Sequence, residues 1–319
     1  MSSHKVIVTE PIHQAGVEFL ERNGVEVVQL PPGSDEETLQ AEAPRAAGLI
    51  TRGSIKVTRG FMESAPLLKA VGVHGIGCDH VDLEAASDLS KVVLNTPFAL
   101  TESVAEMVIA LLFSMSRRVV SADNAVRAGE WHRKYSDLWG FEVMGKTVGI
   151  VGLGKIGGAT ARRLKSFGVN LIYNSRTRKP ELEEALGIEY ATLDGLLERS
   201  DIISLSLPYT IETHHLIDAK RIASMKDGVY IINTARGRII DQTSLIEALR
   251  SGKVAGAGLD VFEEEPLDPE SPLASMDNVV LCPHLAASSE EAMKRMAIQV
   301  AEGVLRVMNG EAPDYPVVN

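Results

Sequence analysis

Thr147-Val-Gly-Ile-Val-Gly-Leu-Gly-Lys-Ile-Gly157 is the stretch that decides the fold. Its β-branched residues predict a strand ending near Val151, and the spacing from Ala159 to Phe167 predicts an amphipathic helix. Between them stands Gly152-x-Gly154-x-x-Gly157, the arrangement of a dinucleotide-binding turn. Gly152 permits the sharp turn off the strand. Gly154 lacks the Cβ that would hold a pyrophosphate away from the backbone, and Gly157 lets helix and strand pack closely. The helix N-terminus then offers N–H groups and a partial positive charge to the phosphates. A glycine pattern alone is weak evidence; a strand before it and a helix after it supply the context it requires.

Outward from this turn, strand and helix patterns alternate along all 319 residues, which predicts an α/β chain of about two domains with mostly parallel sheets. Before the turn, strands are expected at Lys5–Thr9, Glu26–Leu30, Ala47–Thr51, Leu68–Val73 and Val92–Asn95, with a helix at Ile12–Asn23. Thr101–Arg118 reads as a long buried helix linking two domains, with Ser103 and Glu106 as a capping box. Val119–Gly145 reads as irregular. After the turn, strands are expected at Thr147–Val151, Asn170–Asn174, Ile202–Leu205, Val229–Asn233, Gly256–Asp260 and Val279–Cys282, a six-strand doubly wound set. His214 and His215 are assigned to a helix after Pro208. The helix Ser288–Met308 lies beyond the last of these strands and is free to return to the first domain. The expected organisation is nested: a nucleotide domain of residues 100–287 inserted into a domain of residues 1–99 and 288–319.

Composition narrows the function. A net charge of −11 argues against a nucleic-acid partner, which needs a basic face, and means that an anionic substrate is expected to be captured by a local cationic pocket. The longest mainly apolar run, Met107 to Met115, falls far short of the roughly 20 residues that span a bilayer. Met1-Ser-Ser-His-Lys5 enters a strand pattern with no signal-peptide core, so a cytoplasmic location is expected. Two cysteines, Cys78 and Cys282, are too few for a disulfide framework or a four-cysteine zinc site, and no cluster has metal-ligand spacing.

Ligands of open parallel sheets bind beyond the carboxyl ends of strands, and that rule selects three residues. Arg236 follows Ile231-Ile-Asn-Thr-Ala235, Glu265 lies past Leu259-Asp-Val-Phe262, and His284 follows Val280-Leu-Cys-Pro283. Together they form a plausible site for reducing a 2-oxoacid. Arg236 would grip the carboxylate and oxo group with its planar fork. His284 would donate the proton as hydride reaches carbon, and Glu265 would orient the imidazole and favour its protonated form. Singly, each has a plainer reading: Arg236 as a surface residue beside Arg238, Glu263 to Glu265 as a solvated acidic turn, His284 as one histidine of eight.

At this point the chain resembles the D-isomer-specific 2-hydroxyacid dehydrogenase family over essentially its whole length. The resemblance is carried by Gly145 to Gly157, Asn233-Thr-Ala-Arg-Gly237, Gly258-Leu-Asp-Val-Phe-Glu-Glu-Glu-Pro266 and Pro283-His284, with Asn95-Thr-Pro97 and Val104-Ala-Glu106 in support. It implies a Rossmann domain within a flavodoxin-like substrate domain, and the roles just given to Arg236, Glu265 and His284. It also implies a cofactor set of Gly152, Leu153, Gly154, Lys155, Ile156, Gly157, Pro208, Thr213, Thr234 and Ala235, with Asp260 toward the nicotinamide carboxamide. Arg52, His74, Gly75 and Ile76 match substrate-binding positions, the backbone of Val73 to Gly77 serving as an anion nest; Arg52 reads equally well as a surface residue. A homodimer is implied as well, through the Thr101–Arg118 helix and the region of Trp131.

The second strand of the nucleotide domain selects the cofactor. An NAD site carries Asp or Glu at its end to accept from the ribose 2′-hydroxyl. Here the strand runs into Asn174, Ser175, Arg176 and Thr177, and no carboxylate appears until Glu181. That cluster predicts NADP, with a tolerant basic loop accepting NAD as the alternative. The expected substrate is glyoxylate or hydroxypyruvate, reduced to the D-hydroxyacid where chirality applies. Phosphoglycerate dehydrogenase and 2-ketogluconate reductase are the alternative activities. The chain ends at Tyr315-Pro-Val-Val-Asn319, so no appended regulatory domain is expected, which weighs against the phosphoglycerate enzymes. A dinucleotide-sensing binding protein is the reading from a different class.

Overall fold

A computed structural model describes residues 5–318. The residues 1–4 that entered the signal-peptide reading, and Asn319, lie outside the described residues. The chain is α/β and divides into two compact units, one of residues 1–100 with 287–319 and one of residues 101–286. The first unit carries strands β1 (Lys5–Val8), β2 (Glu26–Gln29), β3 (Ala46–Thr51), β4 (Ala70–Val73) and β5 (Val92–Leu94). The second carries β6 (Thr147–Val151), β7 (Asn170–Asn174), β8 (Glu189–Tyr190), β9 (Ile202–Leu205), β10 (Val229–Asn233), β11 (Val254–Leu259) and β12 (Val279–Leu281). A last strand, β13 (Pro316–Val318), belongs to the first unit.

In the first unit the order is β2-β1-β3-β4-β5-β13, parallel except for β13, which runs antiparallel to β5. Its strand order reverses between β1 and β3, so Glu10 and Arg52, just past those strands, stand at the switch point where ligands of such sheets bind. The helix Glu290–Met308 packs on this sheet, with Ala297, Val300, Ala301 and Val304 in its core. Ser289 caps it, accepting the Ala292 N–H at 3.2 Å.

The second unit is an all-parallel sheet of order β8-β7-β6-β9-β10-β11-β12, with the reversal between β6 and β9. The glycine turn leaves the end of β6, directly at that reversal. The helix Thr101–Ser116 lies in this unit, burying Val108, Leu111, Leu112 and Met115 beside Val148 and Ile150. Fully burying one such aliphatic side chain stabilises the fold by roughly 1.5–3 kcal/mol.

Several local expectations need correction. The second sheet has seven strands, because Glu189–Tyr190 adds β8, too short to show a period. Residues 119–145 are not wholly irregular: Val119–Arg127 is helical after Arg118 turns into the left-handed region at φ 51°. Its β-branched start and missing cap concealed it. Ser103 and Glu106 sit inside the helix that begins at Thr101, and Glu106 pairs with Arg163 at 3.1 Å instead of closing a cap. His214 and His215 are outside any helix; the short 3-10 turn Ile211–Thr213 ends before them and the next helix starts at Ala219.

Candidate active site

The turn after β6 has the geometry its glycines suggest. Gly152 adopts φ 97°, and a Cβ there would lie 2.4 Å from the Ser206 carbonyl oxygen. A Cβ on Gly157 would lie 2.1 Å from the Gly152 carbonyl oxygen, so strand and helix touch through backbone. Gly154 instead faces open space and begins the helix Lys155–Lys165, whose first turn has no capping side chain. Leu153 is buried, whereas Lys155 is exposed and Ile156 half-buried. Ser206 and Thr234 each have a buried hydroxyl oxygen with no hydrogen-bond partner among the described residues. A cradle free of Cβ, an uncapped helix start and two such hydroxyls suit a bound dinucleotide.

The loop after β7 is held by its own residues and by the segment after β8. Asn174 donates to the Ala191 carbonyl at 2.9 Å, and Ser175 to the Thr177 carbonyl at 2.6 Å. Arg178, not singled out beforehand, pairs with Glu183 through two contacts of 2.8 Å, and Tyr173 donates to the same carboxylate at 2.6 Å. Arg176 and Thr177 are exposed. The nearby carboxylate is Glu212, held below its usual range mainly by the Thr210 hydroxyl, with a smaller pull from Arg176. It lies far along the chain and went unnoticed in the sequence. Thr213 uses its hydroxyl on the Pro208 carbonyl at 3.0 Å and the Thr210 N–H at 2.7 Å, a capping box that shapes the turn after Pro208.

Beyond β10, β11 and β12 the three strand-end residues are assembled by hydrogen bonds. Glu265 Oε2 lies 2.7 Å from His284 Nδ1, and Glu265 Oε1 accepts the Phe262 N–H at 3.0 Å. Burial pushes the Glu265 carboxyl up, but His284, the Phe262 N–H and the charge of Arg236 outweigh it and hold the pKa below the usual range. His284 is exposed and adopts φ 51°, a left-handed backbone uncommon for a residue with a Cβ. Asp260 fixes that conformation. Its carbonyl accepts the His284 N–H, and its two carboxylate oxygens accept the N–H groups of Leu285 and Ala286, each at 2.8 Å. Burial raises the Asp260 pKa, and those N–H groups oppose the rise only in part. Arg236 is half-buried, with Nη1 donating to the Ala235 carbonyl at 2.7 Å.

Asn233, almost fully buried at the end of β10, went unassigned in the sequence, yet it shapes the Arg236 turn. Its amide donates to the Arg236 carbonyl at 2.9 Å and accepts the Ala235 N–H at 3.0 Å. A Cβ on Gly237 would lie 1.8 Å from the Phe262 carbonyl carbon, so glycine there lets the Arg236 turn meet the Glu265 turn. An asparagine before Thr-Ala-Arg-Gly was the available signal.

In the first unit, His74 follows β4 and is buried; neither ring nitrogen has a well-aligned hydrogen bond among the described residues, and the Met293 backbone makes only a weak contact that opposes the fall in its pKa. Burial, reinforced by the Arg52 charge, pushes its pKa down to about 4. Of the expected anion nest, His74 N–H is engaged by the Thr51 carbonyl and Gly75 N–H by the Val73 carbonyl, which leaves the amides of Ile76 and Gly77. Arg52 donates to the Pro11 carbonyl at 2.8 Å, and its own N–H is accepted by Glu10 at 2.9 Å. Glu10 also takes both the N–H and the hydroxyl of Ser54 at 2.6 Å. It is a positioning carboxylate that the sequence gave no reason to single out. Among the described residues, no three His, Cys, Asp or Glu side chains converge to hold a metal ion.

Comparison with known proteins bears directly on this arrangement. A sequence model described as D-isomer specific 2-hydroxyacid dehydrogenase, NAD binding domain, matches residues 109–286. Over 316 residues the chain is 42% identical to a glyoxylate reductase of Thermococcus onnurineus, covering 97% of this chain and 94% of that enzyme. The chain belongs to the D-isomer specific 2-hydroxyacid dehydrogenase family. It is therefore an oxidoreductase of the 2-hydroxyacid dehydrogenase type, and its residues 109–286 match that family's nicotinamide dinucleotide-binding domain. Within the family it is also 39% identical, over 96% of its length, to a D-3-phosphoglycerate dehydrogenase of Archaeoglobus fulgidus, of which it spans 58%. Among solved structures it is similar to an NADPH-dependent glyoxylate/hydroxypyruvate reductase of Sinorhizobium meliloti in complex with NADP and malonate. That match has a TM-score of 0.87 and 34% identity, and covers 98% of this chain and 96% of that one.

Proposed function

We propose that this 2-hydroxyacid dehydrogenase reduces glyoxylate or hydroxypyruvate with NADPH, giving the D-hydroxyacid where chirality applies. The observation that carries the reading is the 2.7 Å contact between Glu265 and His284 Nδ1. It ties one face of an exposed imidazole to a carboxylate and leaves Nε2 as the face from which a proton is delivered. A nicotinamide dinucleotide held by the Gly152–Gly157 turn would supply hydride to the substrate carbonyl carbon. Glu265 stabilises the protonated ring before transfer; His284 gives the Nε2 proton to the carbonyl oxygen, so the oxo group becomes a hydroxyl and the imidazole is left neutral. Arg236 holds the carboxylate and the oxo group. By family resemblance alone, Arg52, His74, Gly75 and Ile76 are assigned to the substrate.

The NADP preference rests on Arg176, exposed in a loop that carries no carboxylate at the end of β7. The Sinorhizobium enzyme, named as NADPH-dependent, is in keeping with it. Asn174 is tied to the Ala191 carbonyl beyond β8 and Ser175 to the Thr177 carbonyl, so the exposed Arg176, with the Thr177 hydroxyl beside it, is left to meet a 2′-phosphate. The test is kcat/KM for a panel of 2-oxoacids with NADPH and with NADH. Faster turnover of phosphohydroxypyruvate than of glyoxylate would move the assignment to phosphoglycerate dehydrogenase. Cofactor binding with no oxoacid consumed would favour a sensor.

The same reading includes a cytoplasmic homodimer. The Thr101–Ser116 helix buries its apolar side within its own unit, so it is the neighbouring segment that supports an interface: Val120, Val126, Trp131, Tyr135, Trp139 and Met144 are exposed there. Sedimentation of the wild type against Trp131→Glu tests it, and a wild type that sediments as a monomer refutes it.

A further inference from the structure

His215 stands outside every role assigned so far, yet its backbone is held where a side chain is disfavoured, at φ 47°. Such a conformation persists only where its surroundings over-determine it. They do so here. The His215 N–H donates to the Arg238 carbonyl at 2.9 Å, the ring stacks on His214 at 3.9 Å, and Nε2 meets Glu263 Oε1 at 2.6 Å. Glu263 is in turn fastened on three sides. Its carboxylate accepts the Gln242 N–H at 3.1 Å, its own N–H donates to the Gln242 side chain at 3.3 Å, and its carbonyl accepts Arg238 Nε at 3.3 Å.

One residue thus joins three segments: its own, the turn from Arg236 to Gln242 through its backbone N–H, and the turn from Val261 to Pro266 through its imidazole. The second of these bears Arg236 and the third bears Glu265, two residues beyond Glu263. We infer that His215 and Glu263 form a positioning pair that sets the turn carrying Glu265 in register with the turn carrying Arg236. The inference rests on the catalytic reading of Arg236 and Glu265 given above. Both partners of the pair are partly exposed, which makes it a weak contributor to stability. Catalysis is far more sensitive to geometry, since a displacement of about 1 Å can cost roughly a hundredfold in rate. The pair therefore bears on kcat more than on folding.

The experiment compares His215→Asn, Glu263→Gln and the double variant with the wild type, using glyoxylate and NADPH. Asparagine tolerates the left-handed backbone but is too short to reach Glu263; glutamine keeps the shape of Glu263 and removes its charge. Each single variant is expected to lose about tenfold in kcat, with NADPH Kd within about twofold and little change in Tm, and the double variant to lose no more than either single. His215→Gly keeps the backbone conformation, and imidazole added to the buffer is expected to restore part of its kcat. Wild-type kcat in both single variants, or a fall in Tm with kcat intact, overturns the proposal. Glu265→Gln is the control for the underlying reading. Loss of kcat there beside normal His215 variants removes the positioning pair alone. Full kcat in Glu265→Gln removes the catalytic reading and the pair with it.

Discussion

The residues around Glu265 and those around His74, at the carboxyl edges of the two sheets, are held differently. An unpartnered buried hydroxyl is common to both units among the described residues: Ser206 and Thr234 in the second, Thr51 in the first. In the second unit, Asp260, Asn233 and Glu265 each engage both ends of their polar groups, mostly with backbone. In the first, Glu10 is engaged as fully, but His74 and Thr51 are buried with side-chain polar atoms that lack a well-aligned hydrogen bond among the described residues. A buried polar group without a partner costs about 1–3 kcal/mol, whereas an engaged one is fixed in place. The difference separates two properties. Preorganisation resides in the residues 233–286, and a pH-sensitive cost to folding resides around His74. Damage to the edge of residues 233–286 should show in rates, and damage around His74 in stability.

The largest effect is expected at His284. His284→Gln keeps a hydrogen-bonding side chain but no exchangeable acid, and kcat should fall by roughly 10²–10⁴-fold while NADPH Kd holds steady. A normal kcat would remove His284 from the chemistry. Arg236→Lys comes next. An ammonium offers a point charge in place of a planar fork, and kcat/KM for glyoxylate should drop by roughly a hundredfold. If it does not, the substrate is held elsewhere.

On the other side of the comparison, His74 predicts a pH dependence of folding. Its folded-state pKa is pushed to about 4, below its ordinary value of 6.5, by burial and by Arg52. Between those values the unfolded chain binds the proton and the folded chain does not. Stability is therefore full above pH 6.5 and falls as the pH drops toward 4, by about 3 kcal/mol at most. His74→Leu should flatten that part of the curve when chemical unfolding is followed from about pH 7 to about pH 5. An equal loss in the variant would assign the slope to other groups.

What the sequence disclosed follows from how locally each feature is specified. The glycine turn was legible because strand, turn and helix are consecutive and each glycine answers a local steric demand. The placement of Arg236, Glu265 and His284 beyond strand ends was legible because the strands before them are apolar and regular, so their ends could be counted. The two-residue β8 escaped because it is shorter than any period, and the helix Val119–Arg127 because it starts without a cap. Asn233 and Glu10 escaped for another reason. Most of their partners are backbone groups, which a sequence does not distinguish from one another, and for Glu10 the backbone N–H partners lie 42 and 44 residues away.

Cofactor choice is where local reading and spatial arrangement meet, and Arg176 gives the smallest and most diagnostic of the expected effects. The sequence shows a cationic loop with no acid at the end of β7. The structure adds Glu212, close enough for Arg176 to lower its pKa slightly, so the cation has a competing carboxylate. A 2′-phosphate must outbid that weak, solvent-screened attraction, and its doubly charged oxygens do so readily. Arg176→Ala should therefore shrink the NADPH-to-NADH ratio of kcat/KM by about tenfold, the scale of one exposed charge-assisted contact. Glu212→Gln should widen the same ratio by a smaller factor, and added salt should erode both effects. If Arg176→Ala leaves the ratio untouched, cofactor selection lies with the backbone of residues 174–177, and the loop's charge is only a solvated surface.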